Sequence, residues 1–406
     1  MIKKTPFKLL LSHEEAVKII SENVQPIDRV EWVSLDEAFK RVLAEDLVAD
    51  RFVPPFDRSA MDGYAVKAED TFGASSFNPK TLVLREVVYA GTVPHETLKR
   101  GDCTQIATGG PLPESADAVV MIEFTERDGE NVKVFKPVYP GANISRKGED
   151  IEEGKLVLNH GSYLTSAKIG VFAALGRERV KVYEKPQVVV VPTGSEVCAV
   201  GTKLGEGQVY DINSHTLAAI ASENGALVTR FEIVPDTHEA LEGAINTVQD
   251  KDMVVVAGGS SVGERDLLNG IIEQLGTVLF HGVQVKPGKP TLFGLVDEKP
   301  VFGMPGYPTS CLSNAHLFLI PALRKLARLP PRIEKGVKAR LSERVVSSSG
   351  RKQFLTVQLR DGIAYPVFRH SGAITSMADA DGYIVLPTNV DVIEKGDEVT
   401  VLLLNE

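Results

Sequence analysis

From Lys185 to about Arg328, apolar runs of strand length alternate with stretches whose apolar residues recur at helical spacing. The first run, Val188 to Val191, stops at Pro192, Thr193 and Gly194. A helix is expected from His215 to Asn224, closed by Gly225, and a strand from Ala226 to Val234. Asp236 and Glu239 have the spacing of a capping box that opens a helix through about Val248. The next strand, Met253 to Ala257, runs into Gly258, Gly259, Ser260, Ser261, Val262 and Gly263. Repeated β-α-β units of this kind imply a parallel, doubly wound sheet, whose ligands sit outside the carboxyl ends of its strands. The chemistry is therefore expected in the loops that follow these strands.

Ahead of this region, residues 54–140 carry Gly and Pro punctuation between short runs such as Leu82 to Val88 and Ala118 to Ile122, which predicts a separate β-rich domain. The flanking segments, Ile27 to Phe52 and Gly141 to Gly176, read as mixed α+β and are expected to pair, making the β-rich part an insertion. Beyond the helix Ala322 to Leu329, broken by Pro330 and Pro331, alternation at Gln353 to Leu359, Tyr383 to Leu386 and Glu398 to Leu404 predicts a small all-β domain. The expected fold class is therefore α/β multidomain. Its parts are 1–53 with 141–184 as N-terminal and linker domain, 54–140 as the insertion, 185–329 as the doubly wound domain and 330–406 as the C-terminal β domain.

The length of 406 residues and an apolar fraction of 43% suit a folded, multidomain protein. No apolar run reaches the eighteen residues of a membrane span, and Leu9 to Leu11 is too short for the core of a signal peptide. Cys103, Cys198 and Cys311 lie far apart, fit neither a zinc pattern nor a disulfide framework, and read as reduced thiols of a cytoplasmic protein. A formal net charge of −9 opposes a nucleic-acid surface, so an anionic ligand needs a local cluster.

Four clusters carry candidate chemistry. In Phe56-Asp57-Arg58-Ser59-Ala60-Met61-Asp62-Gly63-Tyr64-Ala65, two acids beside an arginine and a glycine suit a metal- or phosphate-facing loop, or else a solvated turn with an internal Asp–Arg pair. The stretch Gly258 to Asp266 lets backbone N–H groups converge at a helix start, as a phosphate cradle or a plain tight turn, with Ser261 in it and Asp266 as a candidate metal ligand. It has neither the Gly-Lys-Ser/Thr ending of a P-loop nor dinucleotide spacing. Lys286-Pro287-Gly288-Lys289-Pro290 sets two ammonium groups on a stiff loop, an oxyanion receptor or a solvated loop. In Gly303-Met304-Pro305-Gly306-Tyr307-Pro308-Thr309-Ser310, Ser310 stands near a helix start, to bind an anion or simply to cap. Glu196 and Asp236 also follow strand ends, where converging acids form a hard-cation site. Serine-triad order, HExxH and zinc spacing are missing, and the eight histidines are scattered.

Taken together, these strings resemble the MoeA-type molybdopterin molybdenumtransferases, the molybdenum insertases to which the gephyrin and Cnx1 E domains are similar. The resemblance runs from about residue 8 to the C-terminus. It includes Thr108, Gly109 and Gly110, Ala116 to Val120, Gly141, Asn143, Gly148 to Asp150, Thr193, Gly194, Glu196, Asp211 and Asn213. It implies an elongated four-domain homodimer, a MogA-like pterin-binding domain, and a site built between subunits. The implied reaction inserts molybdate into adenylylated molybdopterin and releases AMP, with Mg2+ or another divalent cation. Tungstate, nearly identical in shape and charge, fits the same residue set. By position, Asp62, Glu196, Asp236 and Asp266 become the catalytic and metal-handling acids. Lys286 and Lys289 become pterin-phosphate and molybdate contacts, with Ser261, Ser310, Arg351 and Ser371 as further substrate contacts. The implied partners are an upstream pterin adenylyltransferase and downstream molybdoenzymes, with no nucleic acid and no membrane.

Two departures stand out: Tyr307 where the family usually has asparagine, and Gly110 where alanine is common. Two other classes compete with the insertase. An adenylyltransferase of the same pathway needs only the doubly wound domain, and a scaffold on this fold could have lost the acids and lysines that are all present here.

Overall fold

A computed structural model of the chain describes residues 10–248, 250–258, 267–347, 350–368 and 370–404. The chain divides into two compact units, one formed by residues 1–32, 40–42 and 181–406 and the other by 33–39 and 43–180.

The first unit is built on a six-stranded sheet ordered Leu227–Arg230, Gln187–Pro192, Met253–Ala257, Lys299–Met304, Leu292–Val296 and Gly276–His281. Its first four strands are parallel. The last two attach antiparallel. The unbroken apolar runs have their cause here, because both faces are covered. Val188 and Val190 join a core with Leu217, Phe318 and Leu323, while Val189 and Val191 pack with Leu241, Ile245 and Ile271 on the other side. Met253 and Val255 divide from Val254 and Val256 in the same way.

Three expectations change on this sheet. The second strand is short, Leu227–Arg230, an edge strand that rejoins its neighbour only at the Thr193–Val234 bridge. The helix after Asp236 spans His238–Thr247, and Thr237 caps it by accepting from the Ala240 amide, so Asp236 stands outside the cap. The helix His13–Asn23, expected to go with the N-terminal and linker segments, belongs to this unit instead. Ala16, Ile20 and Val24 are buried in the core that holds Val188 and Phe318. It opens with a full capping box between Ser12 and Glu15.

The C-terminal strands of this unit close into a five-membered ring, in which Lys352–Arg360, Ile363–Pro366, Gly336–Leu341, Glu398–Leu403 and Gly382–Leu386 pair in turn and the last pairs back to the first. Closure removes the sheet edges and encloses Leu341, Val357, Ala364, Ile384 and Val401. A sixth strand, Val285–Lys286, lies parallel to the start of Lys352–Arg360 and comes from the doubly wound domain.

The second unit carries a β-rich sheet ordered Ala118–Met121, Gly63–Val66, Asp102–Ile106, Lys80–Val88, Asn131–Val134 and Thr125–Asp128. Beside it, Leu47–Val48 pairs with Leu156–Leu158, and Ile144–Ser145 pairs with Arg58–Ser59, which lies within the 54–140 stretch itself. The three cysteines are free thiols, with Cys103 and Cys311 fully buried. Among the described residues, no helix is long and apolar enough to cross a membrane.

Candidate active site

In the second unit, the loop before Gly63–Val66 is closed by a turn that follows Asp102–Ile106. The Ser59 amide donates to the Gly110 carbonyl at 2.9 Å, and the Gly109 amide donates to Ser59 at 2.8 Å. Thr108 is thereby placed over Asp62, whose Oδ1 accepts from the Thr108 amide at 2.7 Å and the Thr108 hydroxyl at 2.8 Å. These two donors, the amide first, hold the exposed carboxyl below the usual carboxylate range. A Cβ on Gly63 would stand 1.9 Å from the Val120 carbonyl oxygen, so only glycine lets the two strands approach here. Asp57 finds its cation outside the loop rather than within it: Arg146 Nη1 lies 2.7 Å from Asp57 Oδ2, and the Lys147 amide donates to Asp57 Oδ1 at 2.7 Å. Arg58 is exposed and makes no side-chain hydrogen bond or ion pair among the described residues. At Gly110, an alanine Cβ would meet the Ala107 carbonyl and Ile106 at 3.0 Å, a tight fit.

In the first unit, the doubly wound order reverses between Gln187–Pro192 and Met253–Ala257, and the candidate loops follow their carboxyl ends. The Thr193 amide donates to the Ala257 carbonyl, and Gly258, at φ +114°, passes so close to Thr193 that a Cβ would stand 2.5 Å from its carbonyl oxygen. Thr193 is buried and donates its hydroxyl to Asp236 Oδ1 at 2.6 Å. Glu196 folds back over the same turn, its carboxylate oxygens 3.1 and 3.2 Å from where a Gly194 Cβ would be, and it is exposed with no side-chain partner among the described residues. Both acids therefore flank Thr193–Gly194. Asp211 is buried and accepts from the Ser214 amide at 3.0 Å and from its hydroxyl, and this pair starts the helix Asn213–Glu223. Asn213 in turn donates to the Gly306 carbonyl at 2.8 Å, tying that helix to the Gly306–Ser310 turn.

The lysine loop is fixed from two sides. Asn314 donates to the Gly288 carbonyl at 2.6 Å and to the Thr291 hydroxyl, and it packs where a Gly288 side chain would go. The ladder of Val285–Lys286 on Lys352 and Gln353 brings the lysine loop beside Arg351, which is exposed. Ser310 is buried at the start of the helix Pro308–Asn314, and its hydroxyl has no hydrogen bond among the described residues, so it caps nothing there. The Thr309 amide donates to the Ser371 carbonyl at 2.9 Å, and the Thr309 hydroxyl to the Ala373 carbonyl at 3.0 Å, which brings Ser310 and Ser371 together. Tyr307, 68% exposed, has its ring against the His370–Gly372 turn at this point.

Lys286, Lys289, Ser310, Arg351 and Ser371 thus belong to one connected set of loops, and Glu196 and Asp236 to the adjacent strand-end turn. Asp62 lies in the second unit. Ser261 and Asp266 fall outside the described residues. Among the described residues, no three His, Cys, Asp or Glu side chains converge to hold a metal. Sequence reasoning gave no role to Thr108, Thr193 or Asn314. Thr108 and Thr193 belong to the Thr-Gly-Gly and Thr-Gly-x-Glu strings, whereas Asn314 has no local signal, since its partner Gly288 is distant in sequence.

Acids, hydroxyls and lysines at the strand ends of a doubly wound sheet, in a chain that also carries a β-rich sheet and a closed β ring, define a multidomain α/β protein with its candidate site where such sheets bind ligands. Three family models match in succession: the MoeA N-terminal region (domain I and II) over residues 11–176, a "Probable molybdopterin binding domain" over 190–325, and the MoeA C-terminal region (domain IV) over 338–404. The molybdopterin molybdenumtransferase of Bacillus subtilis is 34% identical over 417 residues, covering 100% of this chain and 95% of its own. Molybdopterin molybdenumtransferase 2 of Mycobacterium tuberculosis is 34% identical, covering 96% and 98%. The crystal structure of the molybdopterin biosynthesis MoeA protein of Pyrococcus horikoshii OT3 superposes with a TM-score of 0.84 at 33% identity, over 97% of this chain and 100% of that one. The chain belongs to the MoeA family of molybdopterin molybdenumtransferases, and it is a transferase of molybdenum cofactor biosynthesis.

Proposed function

We propose that this transferase inserts molybdate, or tungstate, into the dithiolene of adenylylated molybdopterin and releases AMP, with a divalent cation. The observation that carries the reading is the connection of the Lys286–Lys289 loop, Arg351, Ser310 and Ser371 next to the Thr193–Gly194 acids. Cations and hydroxyl donors thus stand beside carboxylates, as joint recognition of an oxyanion and a metal-bound phosphate requires.

The carboxylates fit a hard divalent cation. Asp236 uses only Oδ1 toward Thr193, and Glu196 is unengaged among the described residues. Magnesium commonly takes one or two carboxylates and completes its shell with water and substrate phosphates. Glu196 and Asp236 would hold it, with Asp266 and Asp62 as the further acids of the set. When bound, such a cation neutralises the charge of the phosphoanhydride that water cleaves. The chain's own residues orient: Thr193 fixes the Asp236 carboxylate, Asn314 holds the Gly288 backbone, and Asn213 holds the Gly306 turn. Lys286, Lys289 and Arg351 balance the charge of molybdate and the pterin phosphate, while Ser261, Ser310 and Ser371 supply hydroxyl donors.

The protein would act as a cytoplasmic homodimer with its site built between subunits, receiving adenylylated pterin from an upstream adenylyltransferase and passing the finished cofactor to molybdoenzymes. Incubating the purified protein with adenylylated molybdopterin, molybdate and magnesium is expected to release AMP together with mature cofactor. AMP release no greater than in a protein-free control rejects this reading.

A further inference from the structure

The N-terminal segment reaches the back of the lysine loop. The Leu11 amide donates to the Gly282 carbonyl at 3.3 Å, the Gln284 amide to Leu11 at 2.8 Å, and the Gln284 side chain to the Leu10 carbonyl at 3.0 Å. On its other side, the Gln284 carbonyl accepts from the Lys352 amide at 2.9 Å. The strand that leads into Lys286 is therefore held between the chain's N-terminal segment and the first residue of a barrel strand.

Side chains repeat this link. The Lys352 ammonium lies 2.8 Å from Glu14 Oε1 and 3.0 Å from His13 Nδ1, and its side chain is only 22% exposed. Burial first and the Lys352 charge second push the His13 pKa down, which keeps the imidazole neutral and able to accept from the ammonium. The hydrogen bond from Lys352 contributes most to holding the Glu14 carboxyl down, at about 2. The His13 ring is set in turn against the fully buried Phe318, with centroids 5.5 Å apart. Lys352 thus spans from the barrel to the helix His13–Asn23, directly after Arg351 and in register with Val285.

We propose that Lys352, gripped by His13 and Glu14, is a positioning residue. It holds the backbone of Arg351 and the Lys286 strand in the geometry that receives the oxyanion, without itself touching the ligand. The inference rests on the assignment of Lys286 and Arg351 as oxyanion contacts. A two-point grip on one ammonium group restricts the adjoining backbone, and small misplacements of binding groups are costly.

Calorimetric titration of the full-length protein with molybdate tests it. Arg351→Gln and Lys286→Gln are each expected to weaken binding by about tenfold or more, and if neither does, the oxyanion assignment itself fails. With those losses in place, Lys352→Met is expected to weaken binding by a comparable factor. Adding it to Arg351→Gln should cost less than the sum of the two single losses, because part of what Lys352 does is to place Arg351. Lys352→Arg, which keeps a cation for both acceptors, should restore most of the affinity, and this rescue separates positioning from misfolding. Unchanged molybdate affinity in Lys352→Met overturns the inference. Fully additive losses in the double variant also overturn it, since they mean a direct ligand contact.

Discussion

At the scale of single residues, the site depends on polar side chains held by neighbours that no local rule predicts. Asp62 is an exposed acid in a motif, and the role proposed for it comes from the family resemblance, since charge and neighbours alone fit a solvated turn as well. The structure adds the amide and hydroxyl of Thr108, which fix one carboxylate oxygen and hold the group ionised at neutral pH. Asp62→Asn keeps an oxygen acceptor for Thr108 and removes the charge. It is therefore expected to lower AMP release on the order of a hundredfold, as losses of preorganised electrostatic groups do, while the thermal midpoint stays within experimental scatter. Unchanged turnover in a coupled AMP assay takes Asp62 out of the site. Asp236 teaches the complementary point. Its spacing to Glu239 suggested a cap, but Thr237 supplies the cap and leaves the Asp236 carboxylate to Thr193.

At the scale of elements, hydrophobic patterning was an accurate guide wherever both faces of a strand or one face of a helix are buried. Val188 to Val191 and Met253 to Ala257 are strands as read, because a continuous valine run can only be satisfied between two layers. The boundaries shift where polar residues compete for the same ends. The cap at His238–Thr247 is such a case, and it makes a direct prediction. Thr237→Ala removes an acceptor for the Ala240 amide and is expected to destabilise the protein by about 1 kcal/mol, measured by denaturant unfolding, whereas Thr237→Ser keeps the acceptor and should retain most of that stability. An unchanged unfolding midpoint in Thr237→Ala means that the cap has been misplaced. The lysine loop shows an element decided from outside itself. Its prolines stiffen it, but its position comes from Asn314 on one side and the Lys352 ladder on the other.

At the scale of the whole molecule, the first unit joins its doubly wound domain to the barrel through a packed seam. His316 lies in it, with its ring centroid 6.4 Å from that of Phe354 and 6.5 Å from that of Tyr383, and with Arg332 at 3.3 Å. Burial, followed by the Arg332 charge, pushes its pKa down to about 4. An unfolded histidine titrates near 6.5, so below that pH the unfolded chain binds a proton that the folded protein refuses. The stability from a neutral His316 is therefore complete above about pH 6.5 and is lost progressively toward pH 4, by up to about 3 kcal/mol. His316→Gln, which keeps an acceptor for Arg332, is expected to lose less thermal stability than the parent between pH 7 and pH 4.5. An equal loss in both proteins means that His316 is not the group responsible.

The sequence by itself determined the doubly wound sheet, the C-terminal β strands and the family, because each is written in periodicities and short motifs whose physics is local. Glycines at strand ends, paired prolines and ordered acids also marked the candidate loops. Only the tertiary structure decided that the helix His13–Asn23 belongs to the doubly wound unit, that Arg146 rather than Arg58 pairs with Asp57, and that Lys352 ties the N-terminal segment to the lysine loop. Each of these joins residues far apart along the chain. A charged or polar side chain can satisfy itself with any partner that folding brings within hydrogen-bond reach, so composition and spacing announce the need for a partner without naming it.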